Sequence, residues 1–208
     1  MPPIAPPDLS PWFRPLEELD GPLCWSEFFG NESPVEIDVG SGRGLFLVNS
    51  AERHPGINYV GIERDFTEAR RAARRLQRRG LPNARILGGD ARSAFGKWIP
   101  PGTVSVVHVY FPDPWWKKKH RRRRVFTDEF ADLAALVLKP GGFLHSWTDV
   151  EEYFEVISAL MNHHAQFVAQ APPAERLPAH DLDYQTSFER RSRKAGCPIY
   201  RGLWLRKP

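Results

Sequence analysis

Short apolar segments alternate with amphipathic segments from residue 35 to the C-terminus. Helical patterns occur at residues 45–54, 66–79, 126–138 and 150–164, with a shorter one near 91–98. Seven apolar segments have the length and residue types of strands: VEIDV (35–39), NYVGIE (58–63), ARILGGD (84–90), TVSVVHVYF (103–111), FLHSWTD (143–149), AQFVAQ (165–170) and PIYRGLWLRK (198–207). Strands that alternate with helices predict an α/β fold, a seven-stranded and mostly parallel sheet with helices on both faces.

The first 34 residues differ from the rest because prolines interrupt their apolar runs. Eight prolines fall in this stretch: Pro2, Pro3, Pro6, Pro7, Pro11, Pro15, Pro22 and Pro34. Proline lacks an amide donor and fixes φ, so residues 1–34 are predicted to form an extended or irregular arm rather than a sheet interior. Residues 35–208 are predicted to form one domain. The pattern leaves open whether the arm packs on that domain or contacts a substrate.

Composition narrows the class of protein. A chain of 208 residues suits a single domain, and its net charge of +4 is modest, so clustering of the basic residues matters more than their total. Cys24 and Cys197 form no CxxC pattern, so neither a disulfide framework nor a metal site is predicted. No apolar run reaches the length of a membrane span, and a soluble cytoplasmic protein is expected. The sequence is compatible with a monomer or a homodimer.

Glycines and carboxylates stand at the ends of the predicted strands. These ends meet at one edge of a parallel sheet, where α/β proteins bind their ligands. The loop GSGRG (40–44) follows the first strand, Glu63 ends the second and Asp90 the third. A carboxylate at Glu63 suits the hydroxyls of a ribose, and Glu36 and Asp38 suit a cationic cofactor. The GxGxG spacing is typical of S-adenosylmethionine sites in class I methyltransferases, although a tight structural turn and, for Asp90, a helix cap are alternatives.

The fourth strand leads into the stretch YFPDPWWKKKHRRRR (110–124). Prolines on both sides restrict the backbone around Asp113, so its carboxylate is predicted to be held in place. The basic residues 117–124 that follow are dense enough to bind RNA phosphates. A second basic set lies on the predicted helix 66–79, where arginine stripes serve either as a solvated face or as phosphate contacts: Arg70, Arg71, Arg74, Arg75, Arg78 and Arg79.

The segment FPDPW (111–115) with the basic residues after it closely resembles the signature of the tRNA (guanine-N7)-methyltransferase family. The likeness continues through the glycine loop, GIE (61–63), Asp90, TD (148–149) and TSFER (186–190), and it covers residues 35–206 in unbroken order. The resemblance implies a Rossmann-like class I methyltransferase fold. It also implies transfer of a methyl group from S-adenosyl-L-methionine to N7 of a guanosine in the variable loop of tRNA.

The resemblance further implies a role for each matching position. The catalytic residue would be Asp113. The cofactor would be bordered by Glu36, Gly40, Gly42, Gly44, Glu63, Asp90 and Asp113. The substrate guanosine would be contacted by Lys117, Asp149, Thr186, Ser187, Phe188 and Glu189. The tRNA would be contacted by Lys119, His120, Arg121, Arg122, Arg123 and Arg124.

The chemistry of guanine suits a site that has a carboxylate and no general base. N7 carries a lone pair and no proton, so Asp113 is expected to stabilise the positive charge that methylation leaves on the purine. A base in folded tRNA would have to be flipped onto an aromatic side chain, for which Trp115 and Trp116 are candidates. Two alternatives remain: a methyltransferase acting on exocyclic amino groups of nucleic acid, and a non-catalytic RNA-binding module.

Overall fold

The computed structural model describes residues 8–115, 119, 123–174, 178 and 184–208. In this part of the chain eight strands form one sheet: β1 (Phe13–Pro15), β2 (Val35–Val39), β3 (Asn58–Glu63), β4 (Ala84–Gly88), β5 (Val104–Tyr110), β6 (Leu138–Thr148), β7 (Phe167–Gln170) and β8 (Tyr200–Arg206). Their order is β1-β4-β3-β2-β5-β6-β8-β7. Strands β1 to β6 pair in parallel, and β8 runs antiparallel to β6 and β7. The predicted α/β class is confirmed.

Seven helices connect the strands within the described residues: α1 (Trp25–Phe29), α2 (Leu45–Arg53), α3 (Phe66–Arg79), α4 (Ala91–Ser93), α5 (Asp128–Val137), α6 (Glu151–His163) and α7 (Ser187–Lys194). A 3-10 turn at Leu16–Glu18 precedes α1, and a π-helical segment at Ala94–Trp98 follows α4. The sequence pattern did not predict α7, because its eight residues include one apolar side chain and therefore no apolar stripe. No helix in the described ranges has the length and apolar character needed to cross a bilayer.

The core lies on both faces of the sheet. Neighbouring residues of β3 and β4 point to opposite faces, so that Tyr59 and Ile86 belong to one apolar cluster while Val60 and Leu87 belong to the other. Helices α2 and α3 contribute to the first cluster, and α5 and α6 to the second. Helices therefore cover both faces, as the alternating pattern predicts.

Part of the proline-rich arm belongs to the sheet. Strand β1 pairs in parallel with β4, with Phe13 opposite Ile86, and lies at the edge of the sheet. The sheet in the described residues therefore has eight strands instead of the predicted seven. A three-residue strand that ends in a proline leaves no periodic signal in a sequence, and an edge position tolerates the missing amide donor. The leucines that follow β1 are buried in the core: Leu16, Leu19 and Leu23.

The strand order places a switch point beside β2. The chain continues from β2 to β3 on one side, and after β4 it returns to β5 on the other side of β2. Ligands of open α/β sheets bind at such a point, outside the carboxyl ends of the strands. The carboxyl ends of β2, β3 and β5 therefore mark the candidate site.

Candidate active site

A cavity of about 1750 Å³ opens at the carboxyl ends of β2, β3 and β5. Its lining comes from residues 40–43 of the glycine loop, from α2 and α3, from the stretch 110–115 and from α7. Pockets for a single small ligand usually measure about 300–1,000 Å³. The cavity is therefore large enough to hold a nucleotide beside a cofactor.

The glycine loop presents bare backbone to this cavity. Gly40, Gly42 and Gly44 have φ values of 75°, 51° and 69°, in the left-handed region where glycine carries no Cβ penalty. A Cβ on Gly40 or Gly42 would meet no atom within 4 Å, whereas a Cβ on Gly44 would lie 2.9 Å from the Cβ of Ala72. Gly44 thus allows close packing on α3, while Gly40 and Gly42 leave room for a ligand at the backbone.

Glu63 is held by the backbone at the end of β3. Its Oε2 accepts a hydrogen bond from the amide of Gly42 at 2.8 Å, and its Oε1 accepts one from the amide of Asp65 at 2.8 Å. Each carboxylate oxygen has a second lone pair that remains suited to a hydroxyl donor. Glu63 lines the cavity next to the glycine loop, so the structure brings these two predicted cofactor contacts together.

The two carboxylates that precede the glycine loop, Asp38 and Glu36, have different surroundings. Asp38 lines the cavity and is 4% exposed. Burial, and then the negative charge of Glu63, raises the pKa of Asp38 to about 8. A cation would favour the ionised carboxylate, and S-adenosylmethionine carries a sulfonium and an ammonium group. Glu36, which the family resemblance assigns to the cofactor site, is not among the residues that line the cavity.

Glu36 instead begins a chain of hydrogen bonds behind the cavity. Its Oε2 lies 2.8 Å from Nε2 of His108, and Nδ1 of His108 lies 2.9 Å from the hydroxyl of Tyr110. The ring of Tyr110 lines the cavity, and burial, with smaller contributions from Asp38 and Glu36, raises the pKa of its hydroxyl well above the usual value. These hydrogen bonds therefore fix the end of β5, directly before the stretch that carries Asp113.

Asp90 follows β4 and caps α4. Its Oδ1 accepts hydrogen bonds from the amides of Arg92 at 3.0 Å and Ser93 at 3.4 Å. The guanidinium Nε of Arg92 lies 3.6 Å from the same oxygen. Asp90 does not line the cavity, and its predicted contact with the cofactor stays a prediction.

The loop that carries Asp113 is strained at both ends. Phe111 and Trp115 have φ values of 51° and 41°, which cost about 1–3 kcal/mol each for residues with a Cβ. The amide of Phe111 donates to the carbonyl of Trp147 at 2.7 Å, which holds the first end. Between them Asp113 is exposed and lines the cavity. The prediction of a constrained carboxylate at the switch point agrees with this position.

The basic stretch after the loop is described only in part. Lys117, His120, Arg121 and Arg122, together with Trp116, lie outside the described residues. Lys119 is exposed, and Arg123 is exposed, lines the cavity and places its guanidinium 5.1 Å from the ring centroid of Trp115. Arg124 is half-buried, with its guanidinium 5.0 Å from the ring centroid of Tyr153.

The predicted guanosine contacts at 186–189 form the start of α7. Thr186 caps the helix, since its hydroxyl accepts from the amide of Glu189 at 3.0 Å. Glu189 is 3% exposed and accepts from the amide of Gln185 at 2.6 Å and from Nε of Arg193 at 2.9 Å. Thr186, Ser187 and Phe188 line the cavity, whereas Glu189 does not. The T-x-x-E spacing is a helix-start signal that could have predicted α7 from the sequence.

Asp149, at the end of β6, also supports α7. Its Oδ2 accepts a hydrogen bond from the hydroxyl of Ser192 at 2.5 Å. Phe188 extends from the same helix toward the loop of Asp113, where its ring stacks on Phe111 with centroids 6.1 Å apart. Two predicted guanosine contacts, Asp149 and Glu189, thus hold the helix that presents Phe188. In the described part of the chain, no three His, Cys, Asp or Glu side chains converge in a group that could hold a metal ion.

Comparison with solved structures supports the fold. The chain superposes on the 16S rRNA methyltransferase KamB with a TM-score of 0.64 and 17% identity, covering 88% of this chain and 93% of that one. It superposes on an S-adenosylmethionine-dependent methyltransferase from Aquifex aeolicus with a TM-score of 0.57 and 14% identity, over 86% of each chain. The predicted Rossmann-like methyltransferase fold is therefore confirmed.

Comparison with known sequences supplies the family. A family model described as "Putative methyltransferase" matches residues 32–202. The tRNA (guanine-N(7)-)-methyltransferase of Rhodopirellula baltica is 46% identical over 206 residues, which is 96% of this chain and 76% of that protein. The enzyme of the same name from Geobacter metallireducens is 38% identical over 144 residues, 69% of this chain and 68% of that protein. The chain therefore belongs to the tRNA (guanine-N7)-methyltransferase family.

Proposed function

We propose that this protein transfers a methyl group from S-adenosyl-L-methionine to N7 of a guanosine in tRNA and so forms 7-methylguanosine. One observation carries the proposal. In a chain of this family, the carboxylates of Asp38, Glu63 and Asp113 and the bare backbone of the glycine loop converge on one cavity at the switch point of the sheet.

The residues around the glycine loop fit the cofactor. Gly40 and Gly42 leave space at the backbone, and Glu63 is oriented by two amides to accept hydrogen bonds from ribose hydroxyls. The buried carboxylate of Asp38 suits the cationic groups of S-adenosylmethionine, because a cation favours its ionised form. When bound, this cofactor supplies a methyl group that its sulfonium makes electrophilic.

The described residues then have to position the guanine and to balance the charge that develops. Guanine N7 has its lone pair in the ring plane and no proton, so the site needs no general base. The constrained loop presents Asp113 to the cavity, where a carboxylate stabilises the positive charge that the purine gains. Orientation of the base contributes a large part of the rate, and Phe188 beside Phe111 offers it a flat apolar surface.

The proposal includes tRNA as the partner. The relatives named above supply the substrate class, and the exposed Lys119 and Arg123 supply positive charge close to the loop of Asp113. The position of the guanosine, in the variable loop, follows from the family resemblance alone and is part of the proposal. The tRNA substrate functions in translation in the cytoplasm, which is the compartment we propose for the protein.

Nucleoside mass spectrometry tests the reaction. Unmodified tRNA is incubated with the protein and S-adenosylmethionine that carries a labelled methyl group, then digested to nucleosides. Labelled 7-methylguanosine is the expected product. Labelled N6-methyladenosine or N4-methylcytidine would instead identify a methyltransferase of exocyclic amino groups, and no labelled nucleoside with intact tRNA binding would identify a binding module.

A substrate analogue tests the reacting atom. In 7-deazaguanine a carbon replaces N7 while the Watson–Crick edge is unchanged, so the base still fits a pocket that reads that edge. tRNA that carries 7-deazaguanine at the modified position is expected to bind with unchanged affinity and to accept no label. Label on the analogue would exclude N7. Fragment mapping of the normal product locates the guanosine within the tRNA.

A further inference from the structure

Two helices place basic side chains along the cavity, separately from the stretch 117–124. Three come from α3 and three from α7: Arg75, Arg78, Arg79, Arg190, Arg191 and Lys194. We call this set the α3/α7 basic rim. Its members line the cavity that also contains Asp113, so they border the space that is open to a ligand of that carboxylate.

The arginines of α3 are divided between different sides of the helix. Arg70 lies over the rings of Phe13 and Phe66, with its guanidinium 5.3 and 5.8 Å from their centroids, and so faces the arm. Arg74 is exposed and does not line the cavity. Three of the six arginines of α3 belong to the rim. The stripes seen in the sequence therefore have different surroundings, and one side of the helix is directed to the cavity.

Like charges are concentrated at the α3 part of the rim. Burial, followed by the charges of Arg78, Arg43 and Arg79, lowers the pKa of the Arg75 guanidinium. Two acids lie near these arginines: Glu52 pairs with Arg79 at 3.0 Å, and Glu68, the acid within α3, is contacted by Arg43 at 2.7 Å and by Arg71 at 2.5 Å. The charges of Arg75 and Arg78 therefore remain the main source of repulsion in this part of the rim. Repulsion between like charges destabilises a folded protein, and an anionic ligand removes that cost. The charge distribution thus favours a polyanion along this side of the cavity.

The α7 part of the rim belongs to a helix that several side-chain contacts hold in place. The cap by Thr186, the pair of Glu189 with Arg193, and the hydrogen bond from Ser192 to Asp149 hold α7 in place. The remaining side of the helix carries the basic members of the rim and Phe188, which is 48% exposed. The guanidinium of Arg191 lies 5.1 Å from the centroid of that ring. An exposed aromatic beside cations is typical of surfaces that bind single-stranded nucleic acid.

From these observations we infer that the α3/α7 basic rim binds the phosphate backbone of the tRNA along the cavity. This inference rests on the proposed function and deepens it, because it assigns a second RNA-binding surface to the same site. The partner is the RNA whose guanosine enters the cavity. Phosphates that flank the flipped nucleotide would lie against α3 and α7.

The test compares two variants of the full chain that lose equal charge. Arg78→Gln with Arg191→Gln removes one exposed arginine from each helix of the rim. Arg14→Gln with Arg74→Gln removes two exposed arginines that do not line the cavity. Binding of a tRNA transcript is measured by fluorescence anisotropy over a series of salt concentrations. Cofactor binding by calorimetry and the thermal midpoint show that both variants are folded.

The rim variant is expected to bind tRNA about tenfold more weakly than wild type at moderate salt, with the slope of log K against log salt reduced by about 1.5 for two lost phosphate contacts. The control pair is expected to keep the wild-type slope. The charge-conserving pair Arg78→Lys with Arg191→Lys is expected to restore most of the slope, since lysine also binds phosphate. A rim variant with the same affinity and slope as the control pair would overturn the inference.

The same variants separate this inference from the proposed function. If wild type forms 7-methylguanosine and the rim variant retains the full salt slope, the function stands and the rim is not an RNA surface. If wild type forms no 7-methylguanosine but the rim variant loses slope and the control does not, the RNA surface stands and the reaction is wrong. In an active enzyme the loss is expected mainly in KM for tRNA, because the rim does not touch the reacting atoms.

Discussion

The Nε of Arg124 donates a hydrogen bond of 2.6 Å to the carbonyl oxygen of Pro114. This contact ties the last residue of the basic stretch to the loop that carries Asp113. The guanidinium also lies over the ring of Tyr153 on α6, 5.0 Å from its centroid. Arg124 is half-buried, and its guanidinium connects the loop of Asp113 to Tyr153 on α6. This position differs from the RNA contact that the family resemblance implies.

Arg124→Gln is therefore expected to act on turnover rather than on RNA affinity. Loss of the hydrogen bond should loosen the loop and misplace Asp113, which lowers kcat about tenfold or more while KM for tRNA changes little. Stability should fall by about 1–2 kcal/mol, since the carbonyl of Pro114 loses a charged donor. Steady-state kinetics and urea denaturation give both values.

Arg123→Gln is the matched comparison for that variant. Arg123 is exposed beside Trp115, so its loss is expected to reduce the salt slope of tRNA binding by about 0.7–0.9, the contribution of one phosphate. Arg124→Gln should leave the slope at its wild-type value. A reduced slope and an unchanged kcat in Arg124→Gln would show that Arg124 contacts RNA and does not position the loop.

The sequence predicted those parts of the site that topology alone brings together. Ends of parallel strands meet at one edge, so the strand pattern was enough to place the glycine loop, Glu63 and Asp113 in one site. The distinction between Glu36 and Asp38 could not be predicted. The two residues are two positions apart on one strand and point to the same face, and only the position of His108 on β5 shows which of them is engaged behind the cavity.

Other parts of the site depend on contacts that leave no pattern in the sequence. Nothing in a run of like charges distinguishes Arg124 from its neighbours, because its role is set by the carbonyl of Pro114 and the ring of Tyr153. The sequence does not distinguish the arginines of α3 from one another. Only the packing of Phe13 on this helix shows that Arg70 contacts the arm. Such roles require the tertiary structure.

Asp113 is expected to contribute to the chemical step and little to binding. Asp113→Ala should lower the rate of methyl transfer by about 100-fold or more, which is typical for removing a group that stabilises developing charge. Asp113→Asn keeps the size and one acceptor oxygen but lacks the negative charge, so it should be impaired nearly as much. Single-turnover measurements with saturating tRNA report the step directly.

The affinity for tRNA serves as the control for both Asp113 variants. The carboxylate adds negative charge near an RNA, so its removal is expected to leave the affinity unchanged or slightly increased. Wild-type rates in Asp113→Asn would assign a positioning role by hydrogen bonding, and wild-type rates in Asp113→Ala would exclude a catalytic role.

Glu36 is expected to matter for stability more than for the cofactor. Glu36→Ala removes the partner of a largely buried His108 and should lower the free energy of unfolding by about 1–3 kcal/mol. The calorimetric Kd for S-adenosylmethionine should change less than that of Asp38→Asn, which loses a carboxylate in the cavity itself. A larger change in Kd for Glu36→Ala than for Asp38→Asn would show that Glu36 contacts the cofactor, as the family resemblance implies.

Asp38 is expected to make the stability of the cofactor-free protein depend on pH. Its pKa is about 8 in the folded protein, against 3.8 for an unperturbed aspartate, so between these values the folded state holds a proton that the unfolded state lacks. The contribution to stability is therefore complete below about pH 4 and is lost as the pH rises toward 8, with a slope of about 1 kcal/mol per pH unit. Asp38→Asn does not titrate, so the difference in urea midpoint between variant and wild type should grow with pH.

Binding of the cofactor should reverse the protonation of Asp38. A cationic ligand favours the carboxylate, so near neutral pH wild type should release more protons on binding than Asp38→Asn does. Calorimetry in two buffers with different ionisation enthalpies measures the number of protons released. Subtraction of the variant removes protons that come from the amino group of the cofactor itself. Equal proton release by the two proteins, together with a constant difference in urea midpoint, would mean that Asp38 is already ionised in the free site.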